Sequence, residues 1–170
     1  MQQTSLQKVQ HMTITGIMAA LIMIMTAYVC HIPTGSNGGY IHFGDALIYL
    51  AATLLPRPYA FAAAVIGSGM ADLLTAPMWM PATIIIKMLI VLPFTNRTNR
   101  IVVPRNVVAT LIACVISVVG YCIAEYLLFG TWSVLFISMG QNIVQSVGSA
   151  FFFILFGIAL DRVHVKARFF

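Results

Sequence analysis

The run VVATLIACVISVVGYCIAEYLLF, Val107 to Phe129, decides the fold. It carries one formally charged side chain, Glu125, in 23 residues. As a helix at about 1.5 Å per residue it covers roughly 35 Å, enough to cross the ~30 Å hydrocarbon core of a bilayer. Two further runs read the same way. One extends from Met12 to about Cys30, the other from about Met139 to Leu160, where Asp161-Arg162 ends it.

Composition agrees with these spans. Of 170 residues, 61% are hydrophobic and 8% charged, with a mean hydropathy of +0.97. A soluble domain has about 25% charged residues, so this chain has too little charge to cover a water-facing surface. The expectation is an all-α integral membrane protein forming a single transmembrane domain over residues 1–170. Six spans would use about 120 residues and leave about 50 for loops and tails. That excludes a fused ATPase, a receptor ectodomain and a large cytosolic enzyme.

Three shorter segments complete the set. Ala46 to Leu55 stops at Pro56-Arg57-Pro58, and Tyr59 to Leu74 stops at Ala76-Pro77. Ala82 to Phe94 is followed by a polar loop containing Arg97 and Arg100. Segments 46–55 and 82–94 are short for spanning and read as thinned, tilted or re-entrant. The run Met12–Cys30 is longer than a signal-peptide core and reads as an uncleaved first helix.

Charge orients the bundle. With six spans and both termini cytoplasmic, the inner side receives Lys8, Arg57, Arg97, Arg100, Arg105, Arg162, Lys166 and Arg168. The outer loops receive none, as the positive-inside rule requires. A four-span map with re-entrant second and fourth segments misplaces only Arg57. The net charge of +5 therefore reads as topology, with no nucleic-acid partner. The expected location is a cell membrane, a bacterial plasma membrane in particular. Cys30, Cys114 and Cys122 show no C-x-x-C or Cys/His zinc spacing and read as buried apolar side chains.

Ionisable groups inside membrane segments are costly and are functional candidates by default. Asp45, Asp72 and Glu125 fall toward the outer side. Ser117, Tyr121 and Glu125 share one face of the fifth segment, and Gln141, Gln145 and Ser149 one face of the sixth, with Asn142 adjoining. Two such stripes belong against each other or a wet cavity rather than against lipid. An outward pocket lined by amides, a carboxylate and rings suits a small polar heteroaromatic solute. Tyr40, His42, Trp79, Lys87, Tyr121, Glu125, Asn142 and Gln145 are the candidate contacts.

Each has a plainer reading. Asp45 after Gly44 suits a helix start. Asp72 suits a pair with Lys87 or a backbone cap. Gln145 and Ser149 suit interhelical hydrogen bonds, and Trp79 and Trp132 suit the interfacial aromatic belt. Gly16 and Ala20 form a small lane on the first segment, continued by Ala27. Ala63, Gly67 and Ala71 form another on the third. Such lanes let helices approach closely, within the chain or across to a partner.

Three strings carry a family resemblance. Gly38-Gly39-Tyr40-Ile41-His42-Phe43-Gly44-Asp45-Ala46 leads into a short apolar helix. Gly67-Ser68-Gly69-Met70-Ala71-Asp72-Leu73-Leu74 and Pro81-Ala82-Thr83-Ile84-Ile85-Ile86-Lys87 follow. Together with size and six-helix organisation, they resemble the substrate-binding S components of energy-coupling factor (ECF) vitamin transporters. The resemblance implies capture of a vitamin from outside, with loop residues 32–43 capping the pocket. It implies docking on a membrane coupling subunit with two ATPases, then toppling and inward release. ATP is then bound by the partners alone, and this chain needs no cofactor or metal. The family's first-helix docking motif, A-x-x-x-A, corresponds here to Gly16 and Ala20. A B6 vitamer or hydroxymethylpyrimidine is the first expectation for the ligand and riboflavin the second. Two other classes stay open on the residues: a small membrane enzyme using Asp72, Lys87 and Glu125, and a proton-coupled carrier using Lys87 near Asp72. No nucleotide loop or catalytic motif supports the enzyme.

Overall fold

The computed structural model describes residues 4–29, 31–33, 40–130 and 135–169. Helix α1 spans Ser5–Ala27, α2 Asp45–Leu54, α3 Arg57–Thr75, α4 Met80–Val91, α5 Pro104–Phe129, α6 Leu135–Arg162 and α7 Val165–Phe169. A single turn of tighter helix, Pro77–Trp79, leads into α4. Two-residue strands β1 (Ile32–Pro33) and β2 (Tyr40–Ile41) pair antiparallel between α1 and α2.

Local chemistry explains the helix ends. Thr4 and Gln7 form a reciprocal capping box, which carries α1 back to Ser5 instead of Met12. Prolines stand in the first turns of α3, α4 and α5, where a missing N–H costs nothing. Gly130 closes α5 in the left-handed conformation, φ 67°. Hydropathy marks only the apolar part of each helix, so α5 and α6 begin earlier than Val107 and Met139.

Among the described residues, three helices are long and apolar enough to cross a membrane: Ser5–Ala27, Pro104–Phe129 and the Ser138–Arg162 part of α6. With α3 beside them, the chain is a multi-pass membrane protein. The 10-residue α2 and 12-residue α4 reach only about 15 and 18 Å. Burial compensates for the shortness of α2. Every residue of it except Leu47 is buried, and it packs against α1, α3, α4 and α6. Its backbone and side chains therefore meet protein rather than lipid.

The remaining helices close around α2: α1 on α3, α3 on α4, α4 on α5 and α5 on α6. The small lane of α3 serves this packing. Ala63, Gly67 and Ala71 are buried, and a Cβ on Gly67 would stand 2.7 Å from the carbonyl oxygen of Ala19 on α1. The lane on α1 behaves differently. Gly16 and Ala20 are exposed, and a Cβ on Gly16 would meet nothing within 4 Å. Ala27 is buried, so it does not continue that exposed strip.

Candidate functional site

The first residue of the short α2 anchors the site. Lys87 Nζ on α4 donates to Asp45 Oδ1 at 2.6 Å, and both side chains are 0% exposed. The sequence offered Asp72 as the partner of Lys87 and a helix-start role for Asp45. Asp45 does occupy the first turn, and it also carries the counter-charge. Desolvating two charges is expensive, so a dry pair persists only with good geometry and further hydrogen bonds. Both conditions hold. Gln145 Nε2 on α6 donates to the second carboxylate oxygen, Asp45 Oδ2, at 3.4 Å. The Lys87 ammonium lies 5.3 Å from the centre of the Tyr121 ring on α5, within cation–π range.

The loop before α2 joins the same cluster. The His42 backbone N–H donates to Gln145 Oε1 at 3.3 Å. Gly44 N–H donates to His42 Nδ1 at 3.1 Å, which leaves the ring proton on Nε2. Burial pushes the His42 imidazole down to about 3, so it is neutral at ordinary pH. Phe43 packs on Phe152 of α6 with ring centroids 5.2 Å apart.

Beside this polar knot lies an aromatic group. Trp79 meets Tyr121 edge-on at 6.2 Å and Phe129 at 6.1 Å. The Tyr121 hydroxyl bonds Thr83 Oγ1 at 3.0 Å. Trp79 is buried, and its indole N–H has no acceptor among the described residues. One turn along α5 from Tyr121, Glu125 is 1% exposed and accepts from Ser138 Oγ at 2.7 Å. Asn142 Nδ2 donates to the Ser138 carbonyl at 2.9 Å.

The expected contacts thus fall into two linked groups. His42, Lys87, Tyr121 and Gln145 meet around Asp45, with Trp79 against Tyr121. Glu125 and Asn142 meet at Ser138. Ser117 and Ser149 complete the two stripes; both are buried, with hydroxyls unpartnered among the described residues. Tyr40 contributes backbone to β2, while its side chain lies outside the described residues, as do loop positions 34–39 and Trp132. Gly16 and Ala20 lie on α1, outside both groups. The sequence offered Asp45 as a helix start or a functional carboxylate without its partner, and Thr83 and Ser138 were not among the candidate contacts. A lysine within an apolar run demands a counterion, and that demand was the available signal for Asp45.

Comparison with known proteins bears on this arrangement. A family model described as "ECF-type riboflavin transporter, S component" matches residues 6–162. The chain is also 34% identical over 110 residues to a protein of Pyrococcus woesei described as "uncharacterized protein in gap 3′ region". That alignment covers 62% of this chain and 72% of the relative.

Proposed function

This chain belongs to the S-component family of ECF-type transporters, and from that premise we propose that it captures a heteroaromatic vitamin at the outer ends of α4, α5 and α6. The observation that carries the reading is Trp79. Its buried indole N–H lacks an acceptor among the described residues, and its neighbours Tyr121 and Phe129 supply ring faces and edges. A buried donor left unmade costs about 1–3 kcal/mol. A ring nitrogen or carbonyl of a stacked solute would recover that. Glu125 and Asn142 stand close by to read the solute's polar edge.

Riboflavin is the first solute to test, because the matching family carries that description. A smaller ring, a B6 vitamer or hydroxymethylpyrimidine, is the second reading, and one observation favours it. Asp45, Lys87 and Gln145 are spent on one another, which leaves few polar groups for a large ligand. On either reading six helices lie in a cell membrane with both termini inside, and α2 and α4 reach only part-way. The chain performs no chemistry; ATP is bound by two ATPases behind a coupling subunit. The exposed Gly16–Ala20 strip on α1 is the docking surface for that subunit, since small residues permit close helix approach.

Mass spectrometry of the small molecule retained by the purified protein, followed by titration with riboflavin, pyridoxine and hydroxymethylpyrimidine, tests the ligand. Trp79→Phe should weaken binding of the retained solute at least tenfold, the loss of about 1.4 kcal/mol. Unchanged affinity in Trp79→Phe, Glu125→Ala and Asn142→Ala together would move the site elsewhere. Ala20→Trp should impair copurification with the coupling subunit and leave solute affinity in place; the reverse would reassign α1 to the pocket.

A further inference from the structure

Helix α2 is held by a lysine at each end. Its outer end carries Asp45, bound by Lys87 and by Gln145 of α6. At its inner end Lys166 Nζ, on α7, donates to the Thr53 carbonyl at 2.6 Å. The last carbonyls of any helix lack intrahelical donors, and a cation there also meets the negative end of the helix dipole. Lys166 is buried despite its charge. The chain reaches this arrangement through His164, whose φ of 54° lies in a region that residues other than glycine seldom enter. That turn folds α7 back from the end of α6.

The connectivity closes a loop. Helix α6 bears Gln145 near its outer end and runs into α7, which bears Lys166. Helix α2 is therefore clipped twice to this continuous stretch of chain, to α6 at Gln145–Asp45 outside and to α7 at Lys166–Thr53 inside. Asp161 does not compete for the inner clip, because its carboxylate accepts the Ile101 and Val102 amides at 2.8 and 3.0 Å. Asp45 and Thr53 are eight residues apart, roughly 12 Å along the helix. Between them α2 is buried on all sides except at Leu47, so it moves as a unit or not at all.

We propose that Lys166 is a positioning residue for the outer site, acting through α2 from the inner face. This rests on the reading that solute sits at the outer ends of the helices. It gives the inner face, where the coupling subunit must arrive, a mechanical line to Asp45 and its partners. Releasing α7 frees the inner end of α2, loosens the Asp45–Lys87–Gln145 knot and shortens the residence of the solute.

Hydrogen exchange of the full chain in detergent or nanodiscs tests this without any ligand. Lys166→Met should raise exchange about tenfold at the amides of residues 44–48, which Lys166 does not touch, while Lys166→Arg and the exposed-site control Arg162→Met should not. Should Lys166→Met fail to fold, Lys166→Leu, which also removes both donor and charge, serves in its place. Faster exchange confined to residues 50–56 and 163–169 would overturn the proposal. Where a solute is in hand, Lys166→Met should raise its dissociation rate about five- to tenfold, within the usual range of coupling between sites. A lowered melting temperature with an unchanged dissociation rate would mark Lys166 as merely structural. Failure of the wild-type chain to bind any panel solute would overturn the ligand reading, and the exchange result would still decide the role of Lys166.

Discussion

Lys87→Met is the most informative single change. Methionine keeps the length of the side chain and removes the charge, leaving Asp45 at 0% exposure with only the Gln145 amide at 3.4 Å among the described residues. Breaking one side of a buried pair costs about 3–5 kcal/mol, mostly the penalty of an uncompensated buried charge. For a chain of this size each kcal/mol shifts the melting temperature by roughly 2–4 °C, so the expected loss is about 6–20 °C. Replacing both partners, Asp45→Leu with Lys87→Met, should restore most of it. An apolar pair of similar volume is often neutral or better, offset here by about 1–3 kcal/mol for the Gln145 amide left without its acceptor. The assay is thermal unfolding of the purified protein in one detergent at one scan rate, for wild type, both single variants and the double. Two outcomes refute the reasoning: a Lys87→Met melting temperature within about 3 °C of wild type, or single losses that simply add in the double. If Lys87 instead touched the solute, Lys87→Met would abolish binding and leave the melting temperature in place.

Other expectations follow from single contacts. His42 is held neutral in the fold, lowered to about 3 against roughly 6.5 in an unfolded chain. Its contribution is full above about pH 6.5 and is lost progressively as pH falls toward 3; the acid side of a stability–pH profile should flatten in His42→Gln. Gly67→Ala drives a Cβ to 2.7 Å from the Ala19 carbonyl oxygen and should cost about 1–3 kcal/mol through overpacking. Gly16→Ala meets no atom within 4 Å and should hold or raise the melting temperature, since alanine is the better helix former by about 1 kcal/mol. Asn106, fully buried, bonds the Thr95 N–H, the Thr95 carbonyl and the Ile101 carbonyl. Asn106→Ala should cost about 1.5–4.5 kcal/mol by the same unfolding assay, from three bonds of about 0.5–1.5 kcal/mol each.

Much of the architecture was legible in the residues. Val107–Phe129 announced a spanning helix because hydropathy and length are local properties. The polar stripes at Ser117, Tyr121 and Glu125 and at Gln141, Gln145 and Ser149 followed from helical spacing. The third-helix lane at Ala63, Gly67 and Ala71 was legible as a packing surface, but its partner was not. Ala27 looked like part of the α1 strip because spacing alone does not say which face of a helix is covered. The segments 46–55 and 82–94 looked too short to span, and only the packing around α2 showed what tolerates such a helix.

The chemistry at the centre needed the tertiary structure. Lys87 required a counter-charge; the sequence paired it with Asp72, and the fold pairs it with Asp45. The pair at 2.6 Å joins residues 42 positions apart on two helices, and no periodicity reaches across that separation. The Gln145–Asp45 and Lys166–Thr53 bonds span 100 and 113 positions. The amino-acid sequence by itself determined a multi-pass helical membrane protein and its S-component resemblance, because these depend on local composition, spacing and motif. Which charge met which partner, and that α2 is gripped at both ends, was decided by packing, where desolvation forces each buried polar group to find a mate across the bundle.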